Sequence, residues 1–119
     1  MPNIKRGMMG AAGSGVAGND VYVWGDGAGG RLGLGDTATR LTPVQLGDSE
    51  WKSVSGGGRQ GLGIKSGDKL YSWGINSSGE LGDGTVVDRS SPVQIGALTT
   101  WNVISKNIQS QSILVTTKG

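Results

Sequence analysis

The 119-residue chain has no cysteine, no histidine and no phenylalanine. Without cysteine it can form no disulfide, no thiolate nucleophile and no cysteine-ligated zinc site. Without histidine it lacks both the commonest general base and the commonest metal ligand. No apolar run approaches the roughly 20 residues that a bilayer-spanning helix needs. Charge of either sign is also modest, with 11 Lys and Arg against 9 Asp and Glu. The basic residues are scattered, apart from Lys5-Arg6 and an acid-free stretch after Asp88. A nucleic-acid binder gathers such residues on one face or stripe. Neither nucleic acid nor a membrane is therefore expected as a partner.

What the chain does have is glycine, 24 residues of it. So much glycine beside serine signals disorder unless a period organises it. A period is present. Residues 21–47 align with 70–96 without a gap, and 12 of the 27 positions are identical. The identities are Tyr22/Tyr71, Trp24/Trp73, Gly25/Gly74, Gly30/Gly79, Leu32/Leu81, Gly33/Gly82, Gly35/Gly84, Arg40/Arg89, Pro43/Pro92, Val44/Val93, Gln45/Gln94 and Gly47/Gly96. One inserted residue later Trp51 matches Trp101, and with another "QGLGIKS" (60–66) matches "QSILVTT" (111–117). All the aromatic residues thus fall into repeat-related pairs, and each pair is expected to share one environment. A period near 50 residues marks propellers and related arrays, in which each repeat is one supersecondary unit.

The local patterns are those of strands. "VYVW" and "LYSW" are short β-branched and aromatic runs stopped by glycine. "WKSVS" and "WNVIS" alternate apolar with polar, and "GLGIK" and "SILVT" complete the set. "TPVQL" and "SPVQI" open near Pro43 and Pro92, and proline is tolerated at a strand's first residue. No segment holds a 3.6-residue apolar period over three turns, so almost no helix is expected. A wide indole packed between neighbouring sheets needs small residues beside it. The Gly30–Gly35 and Gly79–Gly84 segments, both reading G-x-L-G-x-G, are accordingly taken as structural, requiring positive φ or close packing.

These residues resemble the repeats of the regulator of chromosome condensation family. There a unit of about 50 residues reads hydrophobic-Tyr-x-Trp-Gly, then G-x-L-G-x-G, then Pro-Val and a Val-rich strand. The resemblance covers residues 20–119, as repeat 1 (20–68) and repeat 2 (69–119). It implies an all-β fold made of four-stranded propeller blades, of which whole family members carry seven. By the family's strand order, residues 51–96 hold one complete blade, flanked by a half blade on each side. The signature residues it implies are Tyr22, Trp24, Gly25, Gly30, Leu32, Gly33, Gly35, Pro43 and Trp51, with Tyr71, Trp73, Gly74, Gly79, Leu81, Gly82, Gly84, Pro92 and Trp101. The chain departs from the family in having two units, a glycine-rich leader and no histidine in the "GxxHs" segment, here "GGRQG" and "NIQSQ". The best-known member is a nucleotide exchange factor whose activity lies in loops that nothing here matches residue by residue, so that activity does not carry over.

Three chemical motifs are better read as structure. "GDGAGG" (Gly25–Gly30) spells the dinucleotide fingerprint, but "RLGLGD" follows where a helix is required, and the second copy, "GINSSG", loses the middle glycine. Asp26, Asp36, Asp83 and Asp88 beside glycine turns could suggest calcium. Asp26 aligns with Ile75, Asp36 with Thr85 and Asp83 with Leu34, so the acids ignore the repeat and turn-forming or solvated aspartate is the better account. No carboxylate pair is marked by an apolar pocket motif of the kind that hydrolysis needs. No catalytic residue, cofactor or metal is expected.

Residues 1–19 share no strand pattern with the repeats and read as a glycine- and alanine-rich anchoring arm, with Ile4, Lys5, Arg6, Met8 and Met9 as its partner-docking residues. The leader resembles those of phage-encoded structural proteins that carry such repeats. The expectation is a non-enzymatic structural or interaction protein of a virion, serving as a capsid or tail decoration, fibre or adhesion module. It would assemble head to tail with itself, three copies giving six blades, and with other virion proteins. The alternatives are a fragment of a cytoplasmic propeller that binds a protein partner and, further off, an exchange-type regulator.

Overall fold

The computed structural model of the chain describes residues 18–56, 58–104 and 115–117. Among the described residues eight antiparallel strands form three sheets. Strands β1 (Tyr22–Gly25) and β2 (Arg40–Gln45) make a two-stranded ribbon. Strands β3 (Trp51–Gly56), β4 (Gln60–Lys65), β5 (Lys69–Gly74) and β6 (Arg89–Gln94) make one four-stranded sheet in chain order. A second ribbon pairs β7 (Trp101–Ile104) with β8 (Val115–Thr117). The fold is a partial β-propeller of one complete blade between two half blades. Among the described residues the single helical element is a 3₁₀ turn at Ala28–Gly30.

An inner strand of the complete blade is β4, whose residues Gln60 to Ile64 are all buried. Alternation sends Leu62 and Ile64 to one face and Gly61 and Gly63 to the other. On the first face Leu62 and Ile64 form an aliphatic cluster with Leu70, against which Ile95, just past β6, and Trp101 and Val115 of the following half blade pack. On the second face the indoles of Trp73 and Trp51 lie over the two glycines. A β-carbon at Gly61 would fall inside the Trp73 ring, and one at Gly63 would strike the Trp51 ring. The cross-strand pairs Gly61↔Trp73 and Gly63↔Tyr71 place the bulk opposite the gaps. Trp51 meets Trp73 edge-on at 5.6 Å and Tyr71 at 6.0 Å. Its Nε1 donates to Leu46 O at 2.9 Å, which satisfies the one polar atom of a ring that is 1% exposed. Val21, Val23 and Leu34 of the preceding half blade close this aromatic face.

Each blade therefore presents an aromatic face to the blade before it and an aliphatic face to the blade after it. This sidedness corrects the expectation that repeat-related aromatics share an environment. Trp73 is 4% exposed, whereas Trp24 is 60% exposed and Tyr22 51%. Val21 and Val23 face the complete blade, so the period of two turns Tyr22 and Trp24 to the other side, where no blade stands among the described residues. Trp101 is likewise only half-buried, unlike Trp51.

Two further expectations change. The proline-containing strands start three residues before Pro43 and Pro92, at Arg40 and Arg89. Both are edge strands, and both prolines sit where the ladder register shifts, a place where a missing N–H costs nothing. In the last ribbon Trp101 pairs with Thr117, as Trp51 pairs with Lys65, so 63–65 corresponds to 115–117 rather than 114–116.

Candidate interaction site

A groove of about 280 Å³ runs along β1 between the first half blade and the complete one. Tyr22, Val23 and Trp24 form one wall; Val54, Gly56, Gln60 and Gly61 form the other, and Leu46 and Trp73 line it as well. In the complete blade β5 is paired on both edges, by β4 and β6. Its repeat counterpart β1 is paired, among the described residues, by β2 alone. The groove thus adjoins an edge whose backbone donors and acceptors have no strand partner among the described residues, beside two exposed aromatic rings. An unpaired edge of this kind is a template for another strand.

The glycine-rich segments shape the contact between blades. The six glycines of the two G-x-L-G-x-G segments all have φ between 73° and 91°, the left-handed region that favours glycine. Gly33 does more than turn. A β-carbon there would lie 2.9 Å from Cδ1 and Nε1 of Trp73 and 3.1 Å from Leu46 Cδ1. Trp73 of the second repeat is therefore seated on Gly33 and Leu46 of the first.

Beside this contact stands a polar lattice that the sequence did not mark. Asn76, fully buried, donates from Nδ2 to Thr85 O (3.0 Å), Val87 O (2.9 Å) and Asp83 Oδ1 (3.3 Å), and accepts from Leu81 N at 3.0 Å. Asp83 accepts from Arg89 Nε at 2.8 Å and from the Thr85 hydroxyl at 2.7 Å. The Arg89 guanidinium and the Thr85 hydroxyl hold its carboxyl down at about 2. Gln60 joins the buried Glu80 at 3.3 Å. The first repeat has Gly27, Leu34 and Asp36 where the second has Asn76, Asp83 and Thr85, and Arg40 pairs instead with Asp36 at 2.7 Å. A strict search for repeated residues passes over such a lattice; the signal was the arginine common to both repeats.

The motifs with chemical overtones are absorbed locally. Asp26, Asp36 and Asp83 each accept from the backbone N–H two residues on, at 2.9–3.0 Å, as turn-forming aspartates do. Asp88 Oδ1 accepts from Asn76 N at 2.8 Å. No group of three or more carboxylates that could hold a metal occurs among the described residues. The last three residues of "GDGAGG" form the 3₁₀ turn and loop follows, so the helix N-terminus that a pyrophosphate would need is not formed there. Of the signature residues, Leu32, Leu81, Trp51 and Trp73 are buried, Pro43 and Pro92 lie in edge strands, and the exposed Tyr22 and Trp24 border the groove along β1. The arm residues Ile4, Lys5, Arg6, Met8 and Met9 lie outside the described residues.

The model of the regulator of chromosome condensation (RCC1) repeat matches residues 19–64 and 68–105. The chain belongs to the RCC1 repeat family. Solved structures agree. Human WBSCR16 superposes with a TM-score of 0.57 at 24% identity, over 66% of this chain and 22% of that one. Yeast RCC1 (Prp20), in a complex with Kap60, gives 0.57 at 26% identity, over 67% and 20%. Prp20p from Saccharomyces cerevisiae, studied for its binding to Gsp1p and histones, gives 0.56 at 21% identity, over 66% and 22%. The chain thus spans about a fifth of the length of these RCC1-type structures. No curated protein sequence matches it.

Proposed function

We propose that this RCC1-repeat chain is a non-enzymatic structural and interaction protein, working as a virion component of a bacteriophage. It assembles through its blades, head to tail with copies of itself, three copies giving six blades. It docks on other virion proteins through residues 1–19, with Ile4, Lys5, Arg6, Met8 and Met9 as the contact set. The observation that carries the interaction reading is the pair of exposed rings, Tyr22 and Trp24, beside an edge strand whose counterpart β5 is enclosed on both sides. Exposed aromatic patches of this kind mark protein contacts. Two of the similar structures are of a protein described with protein partners, Kap60 in one and Gsp1p and histones in the other, which supports a protein as the ligand class. The virion setting is supported by the leader's resemblance to those of phage-encoded repeat proteins.

A second reading, part of a larger cellular propeller, is favoured by the chain's covering only about a fifth of the structures it resembles. Mass spectrometry of purified particles separates the two. The chain is expected in the particles, and a variant lacking residues 1–19 is expected to keep its β circular dichroism yet fail to incorporate. Absence from particles, with recovery from the host's soluble fraction, would overturn the virion reading. Unfolding of the shortened variant would make the leader part of the core instead of an arm.

A further inference from the structure

At the contact between the first half blade and the complete blade, the Trp73 indole sits on Gly33 and Leu46. The repeat supplies a second copy of each half of that contact, and both halves are left uncovered. Trp24, the counterpart of Trp73, is 60% exposed. Gly82, the counterpart of Gly33, has nothing within 4 Å of its would-be β-carbon except Ile95 Cγ2 at 3.8 Å. Ile95, the counterpart of Leu46, is half-buried where Leu46 is 1% exposed. The sheet edges match in the same way. Strand β8 pairs with β7 as β4 pairs with β3, and its other edge has no partner strand among the described residues; β1 lacks the strand that β4 gives to β5.

From this we infer that the occupant of the groove along β1 is β8 of a second copy, and that Trp24 of the first copy comes to rest on Gly82 and Ile95 of the second. The register follows from the complete blade. Gly63 pairs with Tyr71, Val115 holds the Gly63 position opposite β7, and Tyr22 is the counterpart of Tyr71. Val115 of one copy therefore pairs with Tyr22 of the next. The four strands β7, β8, β1 and β2, two from each copy, complete one blade. The contact is heterologous, so it closes into a ring when the rotation permits. Two blades per copy make the blade number even, six for three copies.

The inference rests on the self-assembly proposed above, and one experiment separates the two. Because the chain contains no cysteine, the double variant Tyr22→Cys with Val115→Cys carries a single pair of thiols. Under mild oxidation it is expected to form a disulfide between copies, giving a covalent ladder that stops at three, while light scattering of the wild type gives three times the 12.1 kDa monomer mass. Oligomers that form without the cross-link would overturn this contact and leave self-assembly standing. A folded monomer would overturn both, including one in which the chain's own residues 1–17 cover the groove and shield Trp24 from quenching. Trp24→Ala supplies the control. An exposed ring is dispensable to the monomer, so this variant is expected to stay folded and to assemble at least tenfold more weakly; unchanged assembly would overturn the inference.

Discussion

Trp73→Ala is expected to destabilise the chain by about 3–5 kcal/mol, the cost of emptying a buried aromatic site. The indole is 4% exposed and is held between Gly61 of its own blade, Gly33 of the half blade before it and the Trp51 ring. The two glycines cannot refill the space, because they have no side chain to extend, and the Trp51 ring is held by its own hydrogen bond to Leu46 O. A loss of this size is a large part of the roughly 5–15 kcal/mol that holds a domain together. The repeat partner makes the contrast. Trp24→Ala, measured in dilute solution, should cost no more than an ordinary surface substitution, within about 0.5 kcal/mol. Guanidinium unfolding of both variants reads the difference. Equal midpoints would mean that the two indoles share an environment after all, and that the two faces of the blade are wrongly assigned.

Asn76→Ala should cost about 2–4 kcal/mol although it removes no apolar surface. The fully buried side chain satisfies Thr85 O, Val87 O and Leu81 N. Removing it leaves those groups without partners, at about 1–3 kcal/mol for a buried orphan. The same lattice has a pH signature through Asp83. Its carboxyl titrates near 2 in the folded chain against 3.8 for the unperturbed group. A depressed carboxylate stabilises the fold above its unfolded pKa, and that contribution is lost as pH falls from about 4 through about 2. Asp83→Asn is therefore expected to be less stable than wild type at pH 7, with the gap narrowing across that window. Urea midpoints from pH 7 to pH 2 measure it, and a gap constant with pH would remove Asp83 from the account.

The repeat made most of the architecture legible. Paired aromatics, G-x-L-G-x-G and the four strand patterns mark the strands, the strand order of the resembled family places the complete blade at 51–96, and β3 to β6 fall there. Side assignment was less legible. "VYVW" and "LYSW" look alike as strings, yet Trp24 and Trp73 differ because burial depends on what lies across the blade, and a repeat describes only the unit. The glycines that receive the indoles were also misplaced. The G-x-L-G-x-G segments carry Gly33, but the ring-bearing positions Gly61 and Gly63 hide inside "QGLGIK", where a glycine ordinarily weakens a strand. Their spacing of two, opposite Tyr71 and Trp73, is the readable signal. The Asn76 lattice was illegible for the opposite reason, since its members differ between the repeats and only Arg89 is shared.

The central claim is that β1 is an open edge where a strand from another protein docks, while its counterpart β5 is enclosed. Amide hydrogen exchange, read peptide by peptide at low and high protein concentration, tests it directly. The account predicts that peptides spanning β4 and β5 are protected at both concentrations, whereas the peptide spanning β1 exchanges fast when dilute and slows on assembly. A β1 peptide as protected as that of β5 in the dilute monomer would contradict it.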